Sequence, residues 1–181
     1  LMSDSKGSYK LNEFIDDQRM SSLYERFILS YYRRHYPTMD CVAPTRIEWN
    51  TDDGVITLLP QMRSDIMLEH KGFTLIIDAK YYGSSLQTGQ YGKKTIHSNN
   101  LYQIYSYVKN RDIESDGSVS GMLLYANTDS DNPDMEYHMG GNKISVKTLN
   151  LDCDFEEVKC QLDSIVNWWL IENGLECMRQ N

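Results

Sequence analysis

The chain has no apolar stretch long enough to span a bilayer and no basic-then-apolar leader at its start, so a soluble, cytoplasmic protein is expected. It has four cysteines (Cys41, Cys153, Cys160, Cys177), with no C-x-x-C pair and no matching histidine spacing. That argues against a structural zinc site and for free thiols in a reducing compartment. Basic residues are scarce: 18 Lys and Arg stand against 26 Asp and Glu, a net charge of −8. Stand-alone, high-affinity nucleic-acid binders usually carry a basic footprint, so that class is disfavoured. A nuclease whose carboxylates await a cation is not excluded. There is no internal repeat, no low-complexity tract and no Ser-centred nucleophile elbow, and His35, His70, His97 and His138 are scattered without metal spacing. Gly89-Gln90-Tyr91-Gly92-Lys93-Lys94-Thr95 echoes a phosphate-binding loop, but its glycine spacing and the residue after its first Lys are wrong. Nucleotide hydrolysis is therefore rejected, and Lys93 and Lys94 are expected either to sit in a solvated loop, the plainer reading, or to reach a DNA backbone from it.

What is present is 181 residues of ordinary globular composition, 40% hydrophobic and 24% charged. This is enough for one domain over 1–181, with an ordered core from about 20 to 172. A helix is expected from about Ser21 to Tyr36, stopped by Pro37. On its wheel Arg26, Ser30, Arg33 and Arg34 gather on one side. Tyr24, Phe27, Ile28, Leu29, Tyr31 and Tyr32 fill the other, with Glu25 as the one acid inside that apolar arc. Thr45–Trp49 and Val55–Leu59 read as strands about an Asp52-Asp53-Gly54 turn, and Arg63–Leu68 as a further strand. Phe73 to Tyr82 follows across a tight His70-Lys71-Gly72 connection. Gly83 to Lys94 reads as a loop and Asn99 to Lys109 as a helix. Gly121–Ala126, Met135–Met139 and Lys143–Leu149 read as strands, and Phe155 to Glu172 as a closing helix.

Asp78 and Lys80 lie two residues apart in the β-branched run, so they project from one face of a strand. A hairpin to the preceding strand would bring Asp65 beside Asp78. Burying such charges costs several kcal/mol unless they are paired or bind an ion. Two readings fit: a structural Asp–Lys cross-strand pair, or a cation site for phosphodiester hydrolysis. In the second, carboxylate oxygens suit Mg²⁺, with Mn²⁺ as a substitute, and the ammonium serves the attacking water. Glu25, facing the core far from Arg33 and Arg34, fits the cation site better than a surface ion pair. Gln103 and Tyr107, four apart, share one helix face. Gln103 could orient water or touch a phosphate, and Tyr107 could hydrogen-bond or stack on DNA.

Taken in order, Glu25, Ser64-Asp65, Asp78-Ala79-Lys80 and Gln103 with Tyr107 resemble the signature of the PD-(D/E)xK nuclease superfamily. The stretches Leu59–Ile66, Ile77–Tyr82 and Asn100–Tyr107 are similar, more closely, to the C-terminal nuclease region of McrC restriction subunits. Ser64 stands where the superfamily name has proline. The resemblance implies an α/β, restriction-endonuclease-like fold, a central mixed sheet flanked by helices. It implies a Mg²⁺-dependent DNA endonuclease that leaves 5′-phosphate and 3′-hydroxyl ends. Asp65, Asp78, Glu25 and the carbonyl of Ala79 would bind the metal, Lys80 would activate water and Gln103 would position it. The implied partners are modified double-stranded DNA and a McrB-like AAA+ GTPase motor, with paired nuclease copies for double-strand cleavage. The N-terminal domain that engages that motor is expected to lie outside this chain. A same-fold nuclease of DNA repair or recombination and a non-catalytic scaffolding module stay open as alternatives.

Overall fold

In the computed structural model, which describes residues 5–81, 86–88, 94–127 and 133–178, six strands form one mixed sheet. They are β1 (Cys41–Ala43), β4 (Ile66–His70), β5 (Phe73–Lys80), β8 (Val119–Ala126), β9 (Met135–Met139) and β10 (Asn142–Leu149), in the order β1-β4-β5-β8-β10-β9. β5 runs parallel to β8 and β8 to β10, while β1, β4 and β9 pair antiparallel. The central strands are near-continuous apolar runs because helices cover both faces. Every residue of β8 is buried, and so are the inner six of β5.

Alternation along each strand sorts the core into two layers. Ile66, Leu68, Leu75, Ile77, Ala79, Met122 and Leu124 meet helices α1 (Ser5–His35) and α3 (Phe155–Glu172). Met67, Ile76, Leu123, Tyr125 and Val146 meet helix α2 (Ser98–Arg111). α3 begins at Asp154, whose side chain accepts the Glu157 N–H, and it buries Val158, Leu162, Ile165, Val166, Trp169 and Leu170. α2 approaches the sheet where β8 carries Gly121. A Cβ there would lie 2.7 Å from Val108 Cγ2 and 2.8 Å from Ile104 Cγ1, so only the missing side chain admits the helix.

α3 and β9 keep the bounds read from sequence, and the connection from β4 to β5 is tight as expected. Lys71 and Gly72 both have positive φ (49° and 85°), the geometry of a two-residue hairpin turn. Other expectations are corrected. α1 starts at Ser5 rather than near Ser21; residues 16–20 are exposed, so this extension has no apolar stripe to announce it. Val55–Leu59 is not a strand. Val55, Ile56 and Leu58 are 59% or more exposed, and Ile56–Leu58 forms a 3₁₀ turn. β2 (Arg46–Ile47) pairs instead with β3 (Met62–Arg63) in a separate ribbon. The strand expected over Arg63–Leu68 is broken, because buried Ser64 exchanges backbone and hydroxyl hydrogen bonds with Thr45 and turns the chain from ribbon to sheet. Within the loop expected over 83–94, β6 (Leu86–Thr88) pairs with β7 (Lys94–Ile96). The edge strand β1 was too short to read. No described helix is long and apolar enough to cross a membrane.

Candidate active site

The break at Ser64 creates the site. The β4–β5 ladder ends at Ile66 opposite Ile77, so Asp65 and Asp78 fall at the next, unpaired step. Asp65 turns its carboxylate onto the strand that follows: its Oδ2 accepts the Ala79 N–H at 2.9 Å. Asp78 points to the α2 face and is 1% exposed. Lys80, two residues on, places Nζ 2.9 Å from Asp78 Oδ2. Apart from Lys80 and the neighbouring Asp65, neither buried Asp78 oxygen has a hydrogen-bond partner among the described residues.

Electrostatics follow from this placement. Burial pushes the Asp78 carboxyl up to about 7; Lys80 opposes the shift and Asp65 adds to it. Glu25, half-buried on α1, is also raised, first by burial, then by the neighbouring Asp65, with Lys80 pulling the other way. Glu25 thus lies within electrostatic reach of Asp65 and Lys80, and Asp78 within reach of the same two, from elements far apart in sequence. An open cleft of about 310 Å³, lined by Glu25, Arg26, Arg63, Ser64 and Asp65 among others, leads to it.

α2 reaches the site through Gln103. Lys80 Nζ donates to Gln103 Oε1 at 3.2 Å, and Gln103 Nε2 donates to Tyr107 Oη at 2.9 Å. A lysine can only donate, which fixes the amide with its oxygen toward Lys80. Gln103 therefore holds the ammonium. Tyr107, expected as a DNA contact, is 8% exposed and packs with Ile104 and Val108 on the core side of α2. Lys94 is exposed on β7, and Lys93 lies outside the described residues. Sequence reasoning missed Asn100, buried, whose Nδ2 donates to Tyr125 Oη at 2.9 Å. Tyr125 is the register partner of Lys80, so this pair braces the next strand along. A helix-face Asn carried no signal of that contact.

Among the described residues, no three His, Cys, Asp or Glu side chains are grouped closely enough to cage a metal ion. Mg²⁺, however, keeps several waters and takes only one or two protein carboxylates. Asp78, fully buried beside Asp65 with Lys80 as its counter-charge, is a donor set that such an ion fits.

A family model described as "McrBC 5-methylcytosine restriction system component" matches residues 18–126, a span that includes Glu25, Asp65, Asp78, Lys80 and Gln103. The chain is also similar to the Type IV methyl-directed restriction enzyme EcoKMcrBC of Escherichia coli (strain K12), at 29% identity over 170 residues. That match covers 92% of this chain and 48% of the relative, so the chain spans about half the relative's length.

Proposed function

The chain belongs to the McrBC 5-methylcytosine restriction system component family, and from that premise we propose that it is a Mg²⁺-dependent DNA endonuclease, the cleavage module of such a system. It would act on modified double-stranded DNA delivered by a McrB-like AAA+ GTPase motor. Cutting both strands calls for two copies of the site. The observation that carries this reading is the arrangement at Asp78: a fully buried carboxyl raised by desolvation, beside Asp65 and with Lys80 Nζ 2.9 Å from its Oδ2. A pair kept for stability alone gains little from such burial, because desolvating two charges offsets most of their attraction.

Asp78 and Asp65 would hold the cation with the Ala79 carbonyl between them, and Glu25 would complete its shell. Bound there, Mg²⁺ supplies charge neutralisation at the phosphate and a more acidic water. Lys80, held between Asp78 and Gln103, presents its ammonium to the charge that builds on the attacking oxygen and on phosphorus. The bond from phosphorus to the 3′-oxygen breaks, that oxygen takes a proton, and the water oxygen stays on the 5′-phosphate.

The test is cleavage of closed circular modified plasmid with Mg²⁺ or Mn²⁺, with and without the motor and GTP. Wild type should cut, whereas Asp78→Ala and Lys80→Ala should not, with melting curves confirming that both fold. Undiminished nicking by either variant refutes the assignment. Degradation from free ends alone would favour a repair nuclease, and no metal-dependent cutting at all would favour a scaffold.

A further inference from the structure

Arginines near carboxylates ordinarily pair with them. Among the described residues, Arg19 meets Asp16, Arg46 meets Glu48, Arg111 meets Glu69, and Arg33 Nε donates to the Val42 carbonyl. Arg26, Arg34 and Arg63 make no such contact among those residues, and of the three Arg26 and Arg63 share one cleft. Both are exposed, both line the cleft that opens onto Glu25 and Asp65, and neither makes an ion pair or hydrogen bond within the described structure. Their placement explains why. Arg26 follows Glu25 on α1, so the two side chains diverge by about 100° and cannot meet. Arg63 sits on the exposed face of the β2–β3 ribbon, and the turn at Ser64 separates it from Asp65.

A second observation points the same way. Arg63 is the direct cross-strand partner of Arg46 on that ribbon. Like charges placed opposite one another are destabilising. Glu48 compensates Arg46 at 2.9 Å, but no acid compensates Arg63 among the described residues. An anion in the cleft would. On a chain of net charge −8, these two arginines, one from α1 and one from β3, line the same cleft as Glu25 and Asp65.

We infer that Arg26 and Arg63 grip backbone phosphates of the strand being cut, one from α1 and one from β3. This deepens the endonuclease reading and rests on it for the identity of the strand. Guanidinium groups pair bidentately with phosphate and read no base there. The cleft therefore supplies position and affinity, while discrimination of the modified base lies elsewhere.

The test is fluorescence anisotropy of the protein with methylated and unmethylated duplex oligonucleotides, across a salt series, in EDTA so that no strand is cut. Arg26→Gln and Arg63→Gln should each lower the slope of log affinity against log salt by about 1, equally on both duplexes. Arg34→Gln, an exposed arginine in a separate hollow with Phe27 and Phe155, should change neither slope nor affinity. Unchanged binding by both cleft variants, no measurable binding by wild type, or a loss confined to the methylated duplex overturns the inference. Parallel cleavage assays separate the two claims. Metal-dependent cutting with binding indifferent to both arginines leaves the endonuclease reading standing and this one fallen. Arginine-dependent binding without any cutting does the reverse.

Discussion

Asp78→Asn makes the sharpest test, because it should make the protein more stable while abolishing its activity. In the fold this carboxyl titrates at about 7 instead of at its ordinary 3.8, with burial as the main cause and Lys80 only partly offsetting it. The folded state therefore retains a proton that the unfolded chain gives up. Between about pH 4 and pH 7 each rise in pH lowers the stability of the wild type, and above pH 7 the loss is complete. The full interval corresponds to about 4 kcal/mol. Water entry and side-chain relaxation relieve part of any burial penalty, so we expect Asn to gain about half, roughly 2 kcal/mol at pH 8. For a chain of this length that raises the melting temperature by about 4–8 °C. Thermal melts of both proteins in EDTA, from pH 4.5 to 8.5, should show a gap that opens with pH. Millimolar Mg²⁺ at pH 8 should then raise the wild-type melting temperature and leave Asp78→Asn unmoved, since only the native carboxylate binds the ion. An Asn variant that melts below wild type by a constant margin across this range would refute the picture of a desolvated carboxylate that Lys80 only partly compensates.

Tyr107→Phe keeps the ring in the core and removes only the oxygen that accepts from Gln103. Lys80 should lose its fixed acceptor, with kcat falling about tenfold, equivalent to about 1.4 kcal/mol, and KM for DNA unchanged; equal kcat in single-turnover assays would dismiss the relay. Gly121→Ala should force α2 off β8, because its Cβ would stand 2.7 Å from Val108 Cγ2. We expect a loss of about 2 kcal/mol, read as a melting point lower by about 4–8 °C, with kcat reduced because α2 carries Gln103. A wild-type melting curve would show that the helix does not rest on that backbone.

Much of the site was legible because strand periodicity is short-range. Asp78 and Lys80 had to share a face, and a tight connection at His70-Lys71-Gly72 had to bring the preceding strand alongside. Glu25 was legible as the one acid in an apolar arc, and it does face Asp65 and Lys80. Val55–Leu59 misled because an apolar run says nothing about whether a partner is there to bury it; here it is exposed. The four-residue spacing of Tyr107 from Gln103 fixed their proximity but not which of the two faced the core.

The order of residues by itself determined the α/β character, the bounds of α3 and β9, and which charges share a strand face, all consequences of backbone geometry over a few residues. Only the tertiary structure decided that the chain breaks at Ser64, that Asp65 takes the Ala79 N–H, and that Gln103 grips Lys80 while Arg26 and Arg63 go unpaired. Each of those depends on groups 14 or more residues apart meeting or failing to meet. Such meetings are set by how helices and ribbon pack on the sheet, which local periodicity does not encode.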